Sequence, residues 1–240
     1  MQTESLELGY LVVPPGGGPG LVVIHDVWGL SDHTRDMATR IAAEGFVTLA
    51  VDLYRPLGPV EIRDPGAFMR DLSDPDMLAT IQRAVDFLHR HDAVGNRSVG
   101  VIGFCMGGTY TLLSGAFVRD VAAVAPFYGI LSHSHGLLFS EQGLDPTKKP
   151  YEPLVAATSL RTPMLAFFGS EDPFIPLEDV AALRQSMEKR DDVDVRVYEG
   201  AGHAFMNDTR PAAYRPAEAR DAFARTIAFF RRELGEASRS

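Results

Sequence analysis

The only cysteine of the chain, Cys105, lies in a pattern that is typical of a catalytic nucleophile. It is the central residue of GFCMG (103–107), directly after an apolar run. A nucleophile between glycines two positions away, on a sharp turn from a strand into a helix, is called a nucleophile elbow. The positive end of the following helix favours a thiolate there. A buried structural cysteine beside packing glycines is the alternative that these five residues leave open.

Two further residues supply the types that such a nucleophile needs. Asp172 follows the apolar run PMLAFFG, and His203 follows the run VDVRVYEG. Nucleophile, acid and histidine then occur in the chain order of an elbow hydrolase, each after a strand. Because parallel strands end at one edge of a sheet, we expect Cys105, Asp172 and His203 to meet there. Glu171 stays an alternative acid. Taken singly, Asp172 could also be a residue that shapes a turn, and His203 could be an exposed loop histidine.

The elements that must position these residues alternate along the chain. Short β-branched runs predict strands at 6–13, 21–26, 46–54, 98–104, 121–129, 163–169 and 193–200. Helical spacing predicts helices at 32–44, 65–73, 76–91, 107–117, 178–190 and 217–234. This alternation predicts an α/β fold, a mostly parallel twisted sheet of seven or eight strands with helices on both faces. We expect one domain over 1–240, with a long insertion at 131–161 near the active site.

Composition excludes several other classes of protein. The formal net charge of −9 and the lack of a basic stripe argue against nucleic acid binding. One cysteine excludes an intrachain disulfide framework and makes a structural zinc site improbable. The beginning of the chain lacks a secretory signal pattern, and no apolar run reaches the ~18 residues of a membrane span, so we expect a cytoplasmic protein. We expect no cofactor and no metal, since His133 and His135 in HSHG are a weak pair.

The sequence as a whole resembles the dienelactone hydrolase family, the carboxymethylenebutenolidase-like α/β-hydrolases. The motifs that carry the resemblance are VVIHDVWGL (22–30), VDLY (51–54), GFCMGG (103–108), GSEDPFIP (169–176) and GAGHAFMND (200–208). The resemblance implies a compact α/β-hydrolase without a large lid domain. It also implies a catalytic triad of Cys105, His203 and Asp172.

Further roles follow from the same resemblance. It implies an oxyanion hole made by the backbone N–H groups of Val27 and Met106, aimed at the oxygen that becomes negative during the reaction. The family also carries an acid, usually glutamate, that binds the resting thiol and moves away when substrate enters. Asp26 occupies that position, and its side chain is one methylene shorter. A carboxylate that caps the next turn is the alternative for Asp26.

The substrate site is less well determined by the sequence. Trp28 and Phe104 are candidates for an apolar substrate-binding wall together with Met106, although core packing would equally explain Trp28. The family binds its substrate carboxylate with arginines, one soon after the catalytic histidine. Asn207 stands near that place here, followed by Arg210. The candidates for the upstream arginine are Arg55, Arg63 and Arg70.

The predicted function is hydrolysis of a lactone or an activated ester through a thioester on Cys105. The partner is a small-molecule ester or lactone, and the chain is a monomer or a small homo-oligomer. A carboxylesterase or thioesterase of broad specificity is the nearest alternative. A redox-responsive protein with a lone sensor thiol, or a non-catalytic binding protein on a hydrolase scaffold, would belong to a different class.

Overall fold

An eight-stranded sheet forms the centre of the molecule, in a computed structural model that describes residues 1–235. The strands are β1 Gln2–Leu6, β2 Gly9–Val13, β3 Gly20–Ile24, β4 Val47–Val51, β5 Val99–Phe104, β6 Ala123–Phe127, β7 Met164–Gly169 and β8 Val193–Tyr198. The helices are α1 Asp32–Ala43, α2 Pro65–Asp71, α3 Asp74–Arg90, α4 Met106–Phe117, α5 Pro153–Ala157, α6 Leu177–Ser186 and α7 Pro216–Leu234, with 3-10 helices at Arg55–Leu57 and Gly136–Leu138. The strand order is β1-β2-β4-β3-β5-β6-β7-β8.

Six of the strands, β3 to β8, are mutually parallel. Every residue of β3, β4, β5, β6 and β7 is buried, which explains why their sequences are continuous apolar runs rather than alternating ones. Helices α1 and α7 pack together on one face of the sheet, where Arg40 lies over the Phe223 ring, and α3 and α4 cover the other face. The predicted α/β fold is confirmed. Within residues 1–235, no helix is both long and apolar enough to cross a membrane.

The beginning of the chain differs from the prediction of one strand at 6–13. The structure has an antiparallel hairpin of β1 and β2, in which Leu6 pairs with Gly9. Gly9 has a φ of 143°, a backbone conformation that other residues rarely adopt. A Cβ atom at Gly9 would also lie 2.0 Å from the Ala50 carbonyl oxygen. The apolar pattern does not reveal this hairpin, because β1 is the polar and largely exposed run QTESL.

The insertion at 131–161 lies against α2 and the beginning of α3. Arg70 Nη1 of α2 donates to the Leu137 carbonyl at 2.7 Å, and Lys149 Nζ donates to Asp74 Oδ1 at 2.7 Å. On the other side, His135 Nε2 lies 2.7 Å from Asp179 Oδ2 of α6. The insertion therefore spans from α2 to α6 and contains α5.

Candidate active site

Cys105 occupies the turn between β5 and α4 in a conformation that side chains rarely adopt. Its φ is 56° and its ψ is −118°, which costs roughly 1–3 kcal/mol for a residue with a Cβ atom. The Cys105 N–H donates to the Phe127 carbonyl of the neighbouring strand at 3.0 Å. A Cβ atom on Gly103 would lie 2.3 Å from the Gly107 oxygen, and one on Gly107 would lie 2.5 Å from the Ile24 oxygen. Both glycines are therefore required by the close approach of the backbone.

Asp172 and His203 are in direct contact, although 31 residues separate them along the chain. His203 Nδ1 lies 2.7 Å from Asp172 Oδ2. The other carboxylate oxygen, Oδ1, accepts from the Phe174 N–H at 2.9 Å. Asp172 is buried, whereas the alternative acid, Glu171, is exposed. The carboxylate of Asp172 is thus fixed on both oxygens and orients the imidazole.

The imidazole of His203 is half-buried and lies near Cys105. Its Nε2 atom makes no hydrogen bond of normal geometry to any residue in 1–235. Burial lowers the pKa of His203, but the negative charge of a Cys105 thiolate and the hydrogen bond to Asp172 outweigh burial, so that the pKa lies above its ordinary value. The protonated, charged form of the His203 imidazole is therefore favoured.

A cavity of about 300 Å³ opens over Cys105 and His203, whereas Asp172 lies outside its lining. Its lining comprises Asp26, Val27, Trp28, His33, Thr34, Pro65, Phe104, Cys105, Tyr128, Leu137, Phe174, His203, Ala204, Asn207 and Arg210. Trp28 is 47% exposed and belongs to this cavity rather than to the core. Phe104 also lines it, whereas the side chain of Met106 is buried beneath. Leu137 shows that the insertion contributes to the wall.

The loop after β3 is held by a histidine that the sequence analysis did not single out. His25 is fully buried, and its Nε2 accepts from the Leu53 N–H at 3.2 Å. The proton is therefore on Nδ1, which donates to the Asp26 carbonyl at 2.6 Å. The Gly29 N–H lies 3.2 Å from the same oxygen. These two donors fix the peptide whose N–H belongs to Val27.

Tyr54 is a second supporting residue that the sequence analysis missed. Its hydroxyl donates to the Val27 carbonyl at 2.9 Å and lies 3.1 Å from Met106 Sδ. Burial raises the pKa of Tyr54, so the hydroxyl keeps its proton. In the described part of the chain, the N–H groups of Val27 and Met106 have no acceptor.

Asp26 caps the turn that follows β3. Its Oδ1 accepts from the Trp28 N–H at 2.9 Å, and its Oδ2 lies 3.8 Å from Arg210 Nη2. Neither of these two contacts of Asp26 is with the Cys105 thiol. The structure therefore gives Asp26 the turn-capping contact that was the alternative to a thiol-gating role.

Arg210 is the arginine that the fold brings to the cavity. Besides facing Asp26, its guanidinium lies 5.9 Å from the centre of the Trp28 ring. The upstream candidates are directed elsewhere. Arg70 bonds to the insertion, Arg63 pairs with Glu61 on the surface, and Arg55 lines a different groove.

Comparison with known proteins agrees with this architecture. Residues 8–234 match the dienelactone hydrolase family. The chain belongs to this family. It is 32% identical to "Protein usf" of Aquifex pyrophilus, over 94% of this chain and 93% of that protein.

Two further family members are similar over most of their length. The identity is 31% to a Bradyrhizobium protein named "Probable 2-oxo-3-(5-oxofuran-2-ylidene)propanoate lactonase", over 95% of this chain and 90% of that protein. The crystal structure of a Klebsiella pneumoniae protein named for the same family superposes with a TM-score of 0.79 at 28% identity, covering 92% of this chain and 91% of that one. This dienelactone hydrolase family member is thus a hydrolase with an α/β-hydrolase fold.

Proposed function

We propose that this family member is a cysteine-dependent hydrolase that opens a lactone or cleaves an activated ester through a thioester on Cys105. The main support is that Cys105 and His203 line a single cavity and that the imidazole of His203 is bound to the Asp172 carboxylate at 2.7 Å. The strained turn that carries Cys105 adds to this support, because strain of that kind is found at functional sites.

The proposed reaction has two steps. The Cys105 sulfur attacks the carbonyl carbon, and the carbonyl oxygen becomes negative between the N–H groups of Val27 and Met106. The C–O bond then breaks, and the leaving oxygen takes the proton from His203. In the second step His203 removes a proton from water, the water oxygen attacks the thioester carbon, and the sulfur leaves as thiolate. Asp172 keeps the imidazole oriented throughout.

The nature of the nucleophile favours activated substrates. A thiolate attacks readily but is also a good leaving group, so an adduct with a poor leaving group returns to reactants. Enol esters and lactones have good leaving groups, whereas peptides do not. The lactonase name of the Bradyrhizobium relative also favours a lactone substrate. A carboxylesterase or thioesterase of broad specificity uses the same residues and remains the alternative.

The test is a substrate panel on wild type and Cys105→Ala. The panel contains an enol lactone, p-nitrophenyl acetate and an acyl thioester, and intact-mass measurement detects acylation. We expect hydrolysis of the lactone to be fastest, an acyl adduct on Cys105, and a fall of at least about 10³-fold in Cys105→Ala. Asn96→Asp, on the exposed surface, is the control.

Two results would overturn the proposal. Undiminished turnover by Cys105→Ala would remove the mechanism. Peroxide consumption by a wild type without hydrolytic activity would favour the sensor-thiol alternative.

A further inference from the structure

Asn207 is a buried amide that the proposed reaction does not use. It is 4% exposed and lines the cavity above Cys105. The backbone holds it in a tight turn, since its N–H donates to the Ala204 carbonyl at 2.9 Å and its carbonyl accepts from the Arg210 N–H at 3.1 Å. Asn207 therefore has a fixed position four residues after His203.

The orientation of this amide is determined by its neighbour Thr209. The Asn207 Oδ1 atom accepts from the Thr209 N–H at 3.0 Å and lies 2.6 Å from the Thr209 hydroxyl. Because a backbone N–H only donates, the atom facing it must be the oxygen. The Nδ2 group therefore points away from Thr209. Within residues 1–235 it makes no hydrogen bond to another protein group, and it is not one of the buried atoms without a partner, so its two N–H donors are accessible at the cavity that Asn207 lines.

An accessible donor in the wall of a largely apolar cavity favours ligands that place an acceptor oxygen against it over ligands that place an apolar group there. The adjacent cation is already compensated, because Arg210 faces Asp26 Oδ2 at 3.8 Å and lies over the Trp28 ring. A substrate carboxylate would compete with Asp26 for this guanidinium. A neutral oxygen would accept from the Asn207 amide without disturbing that pair.

We propose that Asn207 Nδ2 forms a subsite for an uncharged acceptor oxygen of the substrate, such as a ketone or ether oxygen beyond the scissile ester. This inference rests on the proposed function, because it assigns the class of substrate that the same site hydrolyses. It also distinguishes this chain from one that recognises a carboxylate at the corresponding place.

The experiment compares ester pairs that differ in one oxygen. On the acyl side, p-nitrophenyl 4-oxopentanoate is compared with the pentanoate, and the 5-oxohexanoate with the hexanoate. On the leaving side, the hexanoate of 3-methoxyphenol is compared with that of 3-ethylphenol. The p-nitrophenyl monoester of glutaric acid tests a carboxylate. We expect at least one neutral-oxygen ester to exceed its partner about tenfold in kcat/KM, and the glutarate ester to gain nothing.

The variants separate this role from a structural one. Asn207→Asp keeps an oxygen for Thr209 but replaces the Nδ2 donor, and Asn207→Leu removes both groups. The matched control Asn96→Asp makes the same change at an exposed position. We expect the tenfold preference to disappear in both Asn207 variants and to persist in Asn96→Asp.

Three results would overturn the subsite. One is that no neutral-oxygen ester exceeds its partner, and another is that the preference survives in Asn207→Leu. The third is a preferred glutarate ester that loses its advantage in Arg210→Met. Failure of the proposed function would look different. In that case no ester would be hydrolysed by wild type faster than by Cys105→Ala.

Discussion

At the scale of single residues, the charge state of the site depends on the contact between Cys105 and His203. Burial lowers the pKa of His203, and the thiolate is the largest of the influences that raise it. We therefore predict that Cys105→Ala lowers the pKa of His203, since burial then acts against Asp172 alone. Titration of the His203 ring by NMR measures this shift. An unchanged pKa in Cys105→Ala would contradict this influence of Cys105 on His203.

The same shift has a consequence for stability. A group whose folded-state pKa is raised stabilises the fold fully below its unfolded value, about 6.5 for histidine. That contribution is lost as the pH rises through the folded-state value. In Cys105→Ala the loss should therefore occur at a lower pH than in wild type. Urea unfolding of both proteins at pH values from the unfolded-state pKa to the folded-state pKa of His203 measures the difference.

The residues of the site differ in how far the sequence reveals them. Cys105, Asp172 and His203 are chemically reactive types after strands, so their order along the chain predicted their meeting. His25 and Tyr54 are recognisable only by their contacts with the backbone of Asp26 and Val27. The available signal was a histidine at the end of a buried apolar run, and a tyrosine three residues after β4.

At the scale of elements, the passage from β5 into α4 leaves no room for side chains. A Cβ atom at Gly103 would lie 2.3 Å from the Gly107 oxygen and 2.6 Å from Thr111 Oγ1. We predict that Gly103→Ala destabilises the fold by about 1–3 kcal/mol, since the backbone must shift, and that it slows acylation. Gly202→Ala is the matched control for stability, because its nearest contact would be an ordinary 3.6 Å. Equal urea midpoints for the two variants would contradict the steric explanation.

The elements themselves were largely predictable, and their exceptions have physical causes. The parallel strands follow from continuous apolar runs, since strands buried on both faces need no alternation. The hairpin of β1 and β2 was missed because the turn depends on the φ of Gly9, which an apolar pattern does not encode. The insertion was predicted from a break in the alternation of strands and helices. Where it lies in the molecule is visible only in the structure.

At the scale of the whole molecule, the insertion is joined to helices α3 and α4 by contacts between residues far apart in sequence. Lys149 Nζ donates to Asp74 Oδ1 at 2.7 Å and lies 3.2 Å from the Tyr110 hydroxyl, although 75 residues separate Lys149 from Asp74. Both charged side chains are only 4% exposed. Burial lowers the pKa of Lys149. No periodicity or motif predicts such a pair. The sequence therefore does not predict where the insertion packs on the fold.

The neighbouring lysines provide a direct comparison of a buried and an exposed anchor. Lys149→Met leaves the Asp74 carboxylate buried without its cation, and we predict a loss of about 3–5 kcal/mol in the free energy of unfolding. Lys148→Met breaks only the exposed pair with Asp71 and should leave the urea midpoint nearly unchanged. Combining Lys149→Met with Asp74→Asn removes the unpaired charge and keeps an acceptor for Tyr110, so most of the stability should return. If the double variant were as unstable as Lys149→Met alone, packing of the lysine stem, and not the buried charge, would be what anchors the insertion.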